Sequence, residues 1–196
     1  MGKNILLVVI FAVFSINALS QDRTGISYRG RNLYGAGITV VNYSYDYIGS
    51  RSMRLPPSSA YLEIGVSNNI TAGPFAGYAK WDYEFTGFET PFNYSWSFIN
   101  TGVRASFHIT GLLSDLFNAN INENRVDWYV TGYLGMEYRQ YATQTPGFED
   151  FHSNKFSLIY GPLAGVRYYF GNNLAFYTEA GLGTFGIFTF GLSLRL

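Results

Sequence analysis

Residue types that commonly stabilise small domains or build their sites are missing or scarce in this chain of 196 residues. It contains no cysteine and only two histidines. The sequence therefore has no disulfide framework and no cysteine for a lipid anchor, and two distant histidines do not favour a transition-metal site. Charged residues make up 13% of the chain, about half the share of a typical soluble domain. A shell that faces water needs more charge, so the composition predicts a surface that faces a less polar medium.

Charge of either sign is not in excess, because 13 basic residues balance 13 acidic ones. This balance argues against nucleic acid or another strongly charged partner. Long apolar runs are also lacking. Beyond residue 20 no stretch approaches the ~18 consecutive apolar residues of a membrane-spanning helix. No motif requires a cofactor, and we predict none.

The N-terminus has the pattern of an export signal. A lysine precedes an apolar run from Ile5 to Phe14, and Ala18-Leu19-Ser20 then offers small residues to a signal peptidase. We predict that residues 1–20 are a cleaved signal peptide; an uncleaved anchor is the alternative. The mature chain would consist of a lead-in at residues 21–33 and one domain at residues 34–196.

The C-terminal segment alternates between large apolar residues and small or polar ones. One face carries an unbroken apolar row: Phe188, Phe190, Leu192, Leu194 and Leu196. Because successive side chains of a strand point to opposite faces, this row predicts a strand with one apolar face. Behind an export signal, it predicts the closing strand of a barrel whose outer wall contacts lipid.

Seven further segments alternate in the same way, so the sequence predicts an all-β, eight-stranded antiparallel up-and-down transmembrane β-barrel. Eight spanning strands of about 9–11 residues and their connections would use the available length. In the third segment we predict Phe75, Ala79 and Trp81 on the outer face, with Tyr78, Lys80 and Asp82 on the inner one. The alternative is a soluble barrel of the lipocalin type, whose apolar face lines its interior.

Charged residues recur on the predicted inner faces. Seven are candidates for a polar network in the lumen: Glu63, Lys80, Arg104, Glu137, Arg167, Glu179 and Arg195. Eight strands enclose room only for side chains, and charges buried there have to pair. We therefore predict a cross-linked polar plug in which Arg167 and Glu179 pair across adjacent strands. The alternative is an ion-conducting path lined by the same charges.

The predicted connections are long at one end of the barrel and mostly short at the other. The long ones are Asp46–Ser59, Glu84–Asn93 and Arg139–Lys155, and the tight turns are Ser67–Asn69 and Gly171–Asn173. This asymmetry is typical of barrels whose long loops face outside the cell. At the short end, Thr110–Arg125 breaks the alternation, with leucines spaced like those of one or two helical turns.

Arginine and aromatic residues, which are favoured at binding hot spots, occur in the long connections. Candidate contact residues are Arg51, Arg54, Phe88, Phe92, Phe148 and Phe151. They favour surface adhesion or ligand capture. The alternative is that the aromatic residues only pack within the loops and the outer girdle.

Two motifs suggest possible enzymatic functions. Gly181–Gly186 fits GxGxxG, but a strand follows it, whereas the dinucleotide fingerprint requires a helix there. Ser106 and His108 share one face, and Glu179 or Glu137 could approach them as the acid of a triad. Both residues are predicted to point into the lumen, away from lipid substrates. We therefore predict no catalytic, cofactor-binding or metal-binding residue.

Four segments carry a resemblance to a known family: Gly102–His108 (GVRASFH), Ala164–Phe170 (AGVRYYF), Glu179–Gly183 (EAGLG) and Gly191–Leu196 (GLSLRL). The chain from about Tyr34 onward resembles the small bacterial outer-membrane β-barrel proteins, often labelled outer membrane protein β-barrel domain or porin family. The resemblance implies a location in the outer membrane and contact with its lipid and with the barrel insertion machinery. The family has no shared catalytic residues.

The function expected from these observations is non-enzymatic. We predict a monomeric barrel with a side-chain-filled lumen and a structural or surface-interaction role, whose extracellular ligand the sequence does not identify. A narrow porin-like conduit for small or hydrophobic solutes, with exit through the barrel wall, is the alternative. A lipid A-modifying enzyme is the second alternative.

Overall fold

The fold is a closed β-barrel, as seen in a computed structural model that describes residues 27–42, 50–85, 92–117, 121–122, 124–144 and 152–196. The elements are β1 (Asn32–Asn42), β2 (Ser50–Gly65), β3 (Ile70–Phe85), β4 (Phe92–His108), α1 (Thr110–Leu116), β5 (Val126–Gln144), β6 (His152–Tyr169), β7 (Leu174–Gly181) and β8 (Gly186–Arg195). Each strand pairs antiparallel with the next, and β8 pairs with β1. The predicted eight-stranded up-and-down barrel is confirmed. The predicted signal peptide lies outside the described residues.

Large apolar side chains cover the outer wall. Leu134, Leu158 and Leu192 are each more than half exposed, whereas Arg167 and Glu63 on the opposite face are fully buried. A soluble barrel of the lipocalin type would place its apolar face inside, so that alternative is wrong. An apolar wall of this extent is stable where lipid covers it. Within the described ranges, no helix has the length and apolar character needed to cross a membrane.

The two tight turns lie where the sequence predicts them, at the end of the barrel that also holds α1 and both ends of the described chain. The amide of Val66 donates to the carbonyl of Ile70 across one turn, and the amide of Phe170 donates to Leu174 across the other. Gly171 has φ +94°, a conformation that favours glycine. We call this end the turn end and the opposite end the loop end.

The faces of β3 are opposite to the prediction. Phe75, Ala79 and Trp81 are buried inside the barrel, and Tyr78 is 37% exposed on the outer wall. Tyr78 lies directly opposite Ile99 of β4, and residues opposed in an antiparallel pair share a face. Because Ile99 faces outward, Tyr78 does too. Lys80, two residues further along the strand, is on the same outer face. The prediction was wrong because β3 carries aromatic residues on both faces. The alternation within β3 therefore does not show which face points into the barrel.

Strands extend into all three predicted long loops. β2 already begins at Ser50, β3 and β4 extend to Phe85 and Phe92, and β5 and β6 extend to Gln144 and His152. Arg51, Arg54 and Phe92 are therefore strand residues, while Phe88, Phe148 and Phe151 lie outside the described residues. A long paired neighbour keeps polar residues in strand conformation even where the apolar alternation has ended. Pro56 and Pro57 fit because the register of β2 shifts between Leu55 and Ser58, beyond its last pairing with β1.

Candidate functional site: the closed lumen and the sheet above it

Arg104 of β4 occupies the middle of the lumen between two carboxylates. Its Nε lies 2.6 Å from Oε1 of Glu63 in β2, and its Nη2 lies 2.5 Å from Oε1 of Glu179 in β7. Nη2 also lies 3.3 Å from the Thr131 hydroxyl. All three charged side chains are at most 7% exposed. The guanidinium thus joins three strands across the interior.

A second group of charges lies closer to the turn end, around Asp127. This carboxylate is 2.9 Å from Nη1 of Arg167 and 2.9 Å from Nδ1 of His108. Arg167 is also 3.9 Å from Glu63, which connects the two groups. Arg167 therefore pairs with Asp127, and the predicted pair with Glu179 is wrong. Asp127 was missed, although it lies two residues before Tyr129 on the same inward face of β5.

The remaining predicted network residues lie elsewhere. Glu137 pairs with Arg139 at 2.7 Å, toward the loop end. Arg195 lies at the turn end, where its Nη2 donates to the carbonyl of Asn172 at 3.0 Å. Lys80 is on the outer wall. The structure thus joins Glu63, Arg104, Arg167 and Glu179 and separates the other three from them.

Tyrosine rings fill the space between these charges. The guanidinium of Arg167 lies 3.8 Å from the ring centre of Tyr129, and that of Arg104 lies 4.1 Å from the ring centre of Tyr61. Each ring lies over a glycine of the adjacent strand, Tyr129 over Gly165 and Tyr61 over Gly35. A Cβ at either glycine would overlap the ring. These glycines therefore make the room in which the rings contact the arginines.

The connection between β7 and β8 closes the lumen toward the loop end. It turns inward, since the Tyr133 hydroxyl donates to the carbonyl of Leu182 at 2.7 Å and the Asn100 amide donates to that of Thr184 at 3.3 Å. Phe185 is then buried against Ala79 and Trp81. Below it lies another buried layer, made of Tyr61, Phe75, Tyr133, Leu163 and Tyr177.

The turn end is closed by the residues that precede β1. The ring of Tyr28 stacks on His108, with centroids 3.6 Å apart and planes 13° apart. The amide of Tyr28 donates to the carbonyl of Asn68, and that of Gly30 donates to Gly65, so this segment is held on the β2–β3 turn. Burial, with the negative charge of Asp127 nearby, raises the pKa of the Tyr28 phenol well above its usual value. Tyr28 was not predicted, because it lies in the lead-in, where no alternation marks it.

Above the closed lumen, the five consecutive strands β2 to β6 continue. Strands β2 to β6 extend toward the loop end well past β7 and β8. We call this extension the protruding sheet. On its inner face, half-buried rings of β4 and β5 contact one another, including Trp96 with Tyr141 at 4.8 Å between centroids. Arg139 lies 5.0 Å from the ring centre of Phe98 in the same group.

The β6 edge of the protruding sheet is open as far as the structure describes the chain. β6 pairs with β7 only from Leu163 to Tyr169, with one further bond from the amide of Leu182 to the carbonyl of Pro162. From His152 to Gly161, β6 pairs with β5 alone among the described residues. The backbone groups on its other side thus face away from the sheet.

Solved structures provide a comparison. Ail, the attachment invasion locus protein of Yersinia pestis, has a TM-score of 0.52 at 13% identity, with 86% of this chain and 99% of Ail covered. Its complex with the heparin analogue sucrose octasulfate has a TM-score of 0.51, with the same identity and coverage. The N-terminal β-barrel domain of OprF from Pseudomonas aeruginosa has a TM-score of 0.44 at 11% identity, over 87% of this chain and 99% of that domain. No protein-family model and no curated protein matches the sequence.

This chain has the fold of the eight-stranded bacterial outer-membrane barrels. In such barrels the short turns face the periplasm and the longer connections face outside the cell. By this rule we expect the turn end of this barrel to be periplasmic and its protruding sheet to be extracellular.

Neither of the two motifs with an enzymatic interpretation has the geometry of the corresponding site in this barrel. The Ser106 hydroxyl donates to Glu63 at 2.8 Å and contacts Thr131 at 2.7 Å, while His108 contacts Asp127 and Thr71 instead. Asp127, His108 and Thr71 form a hydrogen-bonded chain that resembles a triad, but all three are buried and Tyr28 covers the histidine. The GxGxxG segment leads into strand β8, without the helix that a dinucleotide site needs. Within the described ranges, no three His, Asp or Glu side chains are grouped to hold a metal ion.

Proposed function

We propose that this outer-membrane barrel is a non-enzymatic surface protein with a non-conducting lumen, which binds an extended polypeptide at the open edge of β6. The observation that carries the proposal is the protruding sheet above a lumen packed with side chains. At about 3.3 Å per residue and a tilt near 45°, the unpaired part of β6 rises roughly 20 Å past β7. An exposed strand edge of this length is a template for another strand.

The packing of the lumen supports the non-conducting part of the proposal. Successive layers are buried: Tyr28 on His108, the two groups of charges, the tyrosine layer, and Phe185. An ion crossing the barrel would have to separate Arg104 from both of its carboxylates. Because these charges lie away from water, separating them costs several kcal/mol. The porin-like alternative requires a path through all of these layers.

The pattern of hydrogen bonds along β6 supports the binding part. The amide of Tyr169 donates toward the β5 side, and that of Phe170 toward the β7 side. Since the direction alternates along an antiparallel strand, the amides of Asn154, Phe156 and Leu158 point to the open edge. Main-chain bonds of this kind provide the affinity when a peptide adds a strand to a sheet.

The charge of the extracellular part favours a polypeptide over a polyanion. Segments 43–60, 80–97 and 137–159 together contain seven acidic and five basic residues, so they offer no excess of positive charge to a strongly anionic ligand. The name of Ail as an attachment protein is consistent with a surface role, but at 13% identity the likeness extends to the fold alone.

A planar-bilayer recording tests the first part. The refolded mature chain, inserted alongside a trimeric porin as positive control, is expected to give no reproducible conductance steps. Regular steps from the barrel alone would support the porin-like alternative and contradict the closed lumen.

Proline substitution tests the second part. Asn154→Pro with Phe156→Pro removes two amides from the open edge and leaves the hydrogen bonds to β5 intact, whereas Asn154→Ala with Phe156→Ala retains both amides. Bacteria that display each barrel are compared for binding to a panel of extracellular-matrix proteins. We expect the wild type and the alanine variant to bind the same protein and the proline variant to lose it. Equal binding by all three, or none by the wild type, would contradict strand addition.

A further inference from the structure

Two large apolar residues at the periplasmic turn end are not covered by the part of the chain that the structure describes. Leu116, the last residue of α1, is 75% exposed, and the next residue, Phe117, is 69% exposed. Leu116 is the most exposed of the large apolar side chains in the part of the chain that the structure describes. In water this pair would be unfavourable, so its surroundings require an explanation.

The start of α1 is fixed to the base of the lipid-facing wall. The amide of Ile109 donates to the carbonyl of Trp128 at 2.7 Å, and the amide of Trp128 donates to Oγ1 of Thr110 at 2.6 Å. Trp128 is 43% exposed on the outer face of β5. Tyr168, near the end of the neighbouring strand β6, and Phe170, just after that strand, have ring centroids 5.5 Å apart. Aromatic residues near strand ends mark the level of the lipid headgroups, so α1 begins at this level of the barrel wall.

The exposed charged side chains that the structure describes at the turn end are all arginines. Arg29 and Arg31 precede β1, and Arg125 precedes β5; all three are exposed. Among the side chains that the structure describes at this end, no acidic one is exposed. Asp127, two residues after Arg125, is buried against Arg167 and His108. The side chains of Asp115 and Glu123, which the sequence places in the same connection, lie outside the described part of the chain. Arginines and an exposed apolar pair at the same end of a barrel are complementary to phosphate headgroups above their acyl chains.

We propose that Leu116 and Phe117 form an interfacial anchor in the inner, periplasmic leaflet of the outer membrane, where Arg29, Arg31 and Arg125 bind the phosphates of anionic phospholipids. The apolar pair enters the boundary between headgroups and acyl chains, about 5–10 Å deep in comparable amphipathic segments. The inference is independent of what binds the protruding sheet. It requires only that the barrel wall is in a membrane.

The absence of cysteine makes a direct test possible, because one introduced cysteine carries the only label. Phe117→Cys is labelled with an environment-sensitive fluorophore and reconstituted in vesicles of phosphatidylethanolamine and phosphatidylglycerol. A nitroxide near the top of the acyl chain is expected to quench this label several-fold more strongly than one near the chain end. Leu134→Cys, in the middle of the outer wall, is the lipid-exposed control, and Asn172→Cys, in the β6–β7 turn, is the water-exposed control.

The proposal is overturned if the Phe117→Cys label matches the Asn172→Cys label, with emission typical of water and no lipid quenching. That result would favour a periplasmic protein, and not lipid, as the partner that covers the apolar pair. A second measurement addresses the arginines. In the labelled protein with its arginines intact, replacing phosphatidylglycerol by phosphatidylcholine should weaken the quenching of the Phe117→Cys label. With Arg29, Arg31 and Arg125 all changed to Gln, the same lipid exchange should no longer alter the quenching. Identical dependence on lipid charge in both proteins would refute the role of the arginines.

Discussion

Arg104 and Glu179 face each other across the lumen, with Nη2 and Oε1 2.5 Å apart, and the same guanidinium contacts Glu63 on its other side. The three side chains come from β4, β7 and β2, so one buried arginine connects strands that do not pair with one another. It neutralises two carboxylates that are shielded from water.

Replacing Arg104 by Met should destabilise the barrel by about 3–5 kcal/mol, because both carboxylates would remain buried without a cation. Urea titration in detergent micelles, followed by tryptophan fluorescence, measures this loss. Adding Glu63→Gln and Glu179→Gln to the same variant removes the uncompensated charges and should restore most of the stability. A loss that is no smaller in the triple variant would mean that packing, not charge, is the contribution of Arg104.

Phe185 and Phe188 are three residues apart and should respond differently to truncation. Phe185→Ala empties the layer above the tyrosines, where the ring is buried against Trp81, and should cost about 3–5 kcal/mol of unfolding free energy. Phe188 is 42% exposed on the outer wall, so Phe188→Ala should cost less than about 1 kcal/mol, as lipid replaces the ring. Thermal unfolding of both variants in the same detergent provides the comparison. Equal costs would contradict the inward turn of the β7–β8 connection.

Gly165 should not tolerate even one added methyl group. A Cβ there overlaps the ring of Tyr129, so Gly165→Ala should destabilise the barrel by about 1–3 kcal/mol. Gly132 has open space around it, and Gly132→Ala should change stability by no more than about 0.5 kcal/mol. In a Tyr129→Ala background the Gly165→Ala penalty should disappear. If it persists, backbone conformation rather than the ring is the cause.

The Tyr28 phenol should make stability fall at alkaline pH. Its pKa is raised in the folded protein by burial, whereas in the unfolded chain it is about 10. Below the unfolded value the phenol is neutral in both states and its contribution is fully present. As the pH rises above about 10, the unfolded chain ionises while the folded one resists, so this contribution is lost.

Tyr28→Phe retains a ring on His108 and has no phenol to ionise. The difference in unfolding free energy between wild type and Tyr28→Phe should therefore be constant from neutral pH to about pH 9 and should shift against the wild type by about pH 11. Parallel pH profiles for the two proteins would indicate that Tyr28 is accessible to water.

Alternation predicted most strands because one face of each carries large apolar residues and the other does not. In β8, the row from Phe188 to Leu196 is sufficient to assign the outer wall. In β3, Phe75 and Tyr78 lie on opposite faces and both are aromatic, so only the pairing with β4 decides which faces lipid. Strand lengths were underestimated for a related reason. Outside the membrane the alternation ends, whereas hydrogen bonding between long neighbours does not.

The sequence by itself determined the fold class, the two tight turns and the shared position of Arg104, Arg167 and Glu179 in the lumen. These features depend on residue type and on a period of two. The tertiary structure alone decided the partners. Asp127 reaches Arg167, and Glu179 reaches Arg104, because the stagger of a closed barrel sets which side chains meet across its interior. It also decided that Phe185 and Tyr28 close the two ends, since each folds back from a connecting segment whose direction no local pattern specifies.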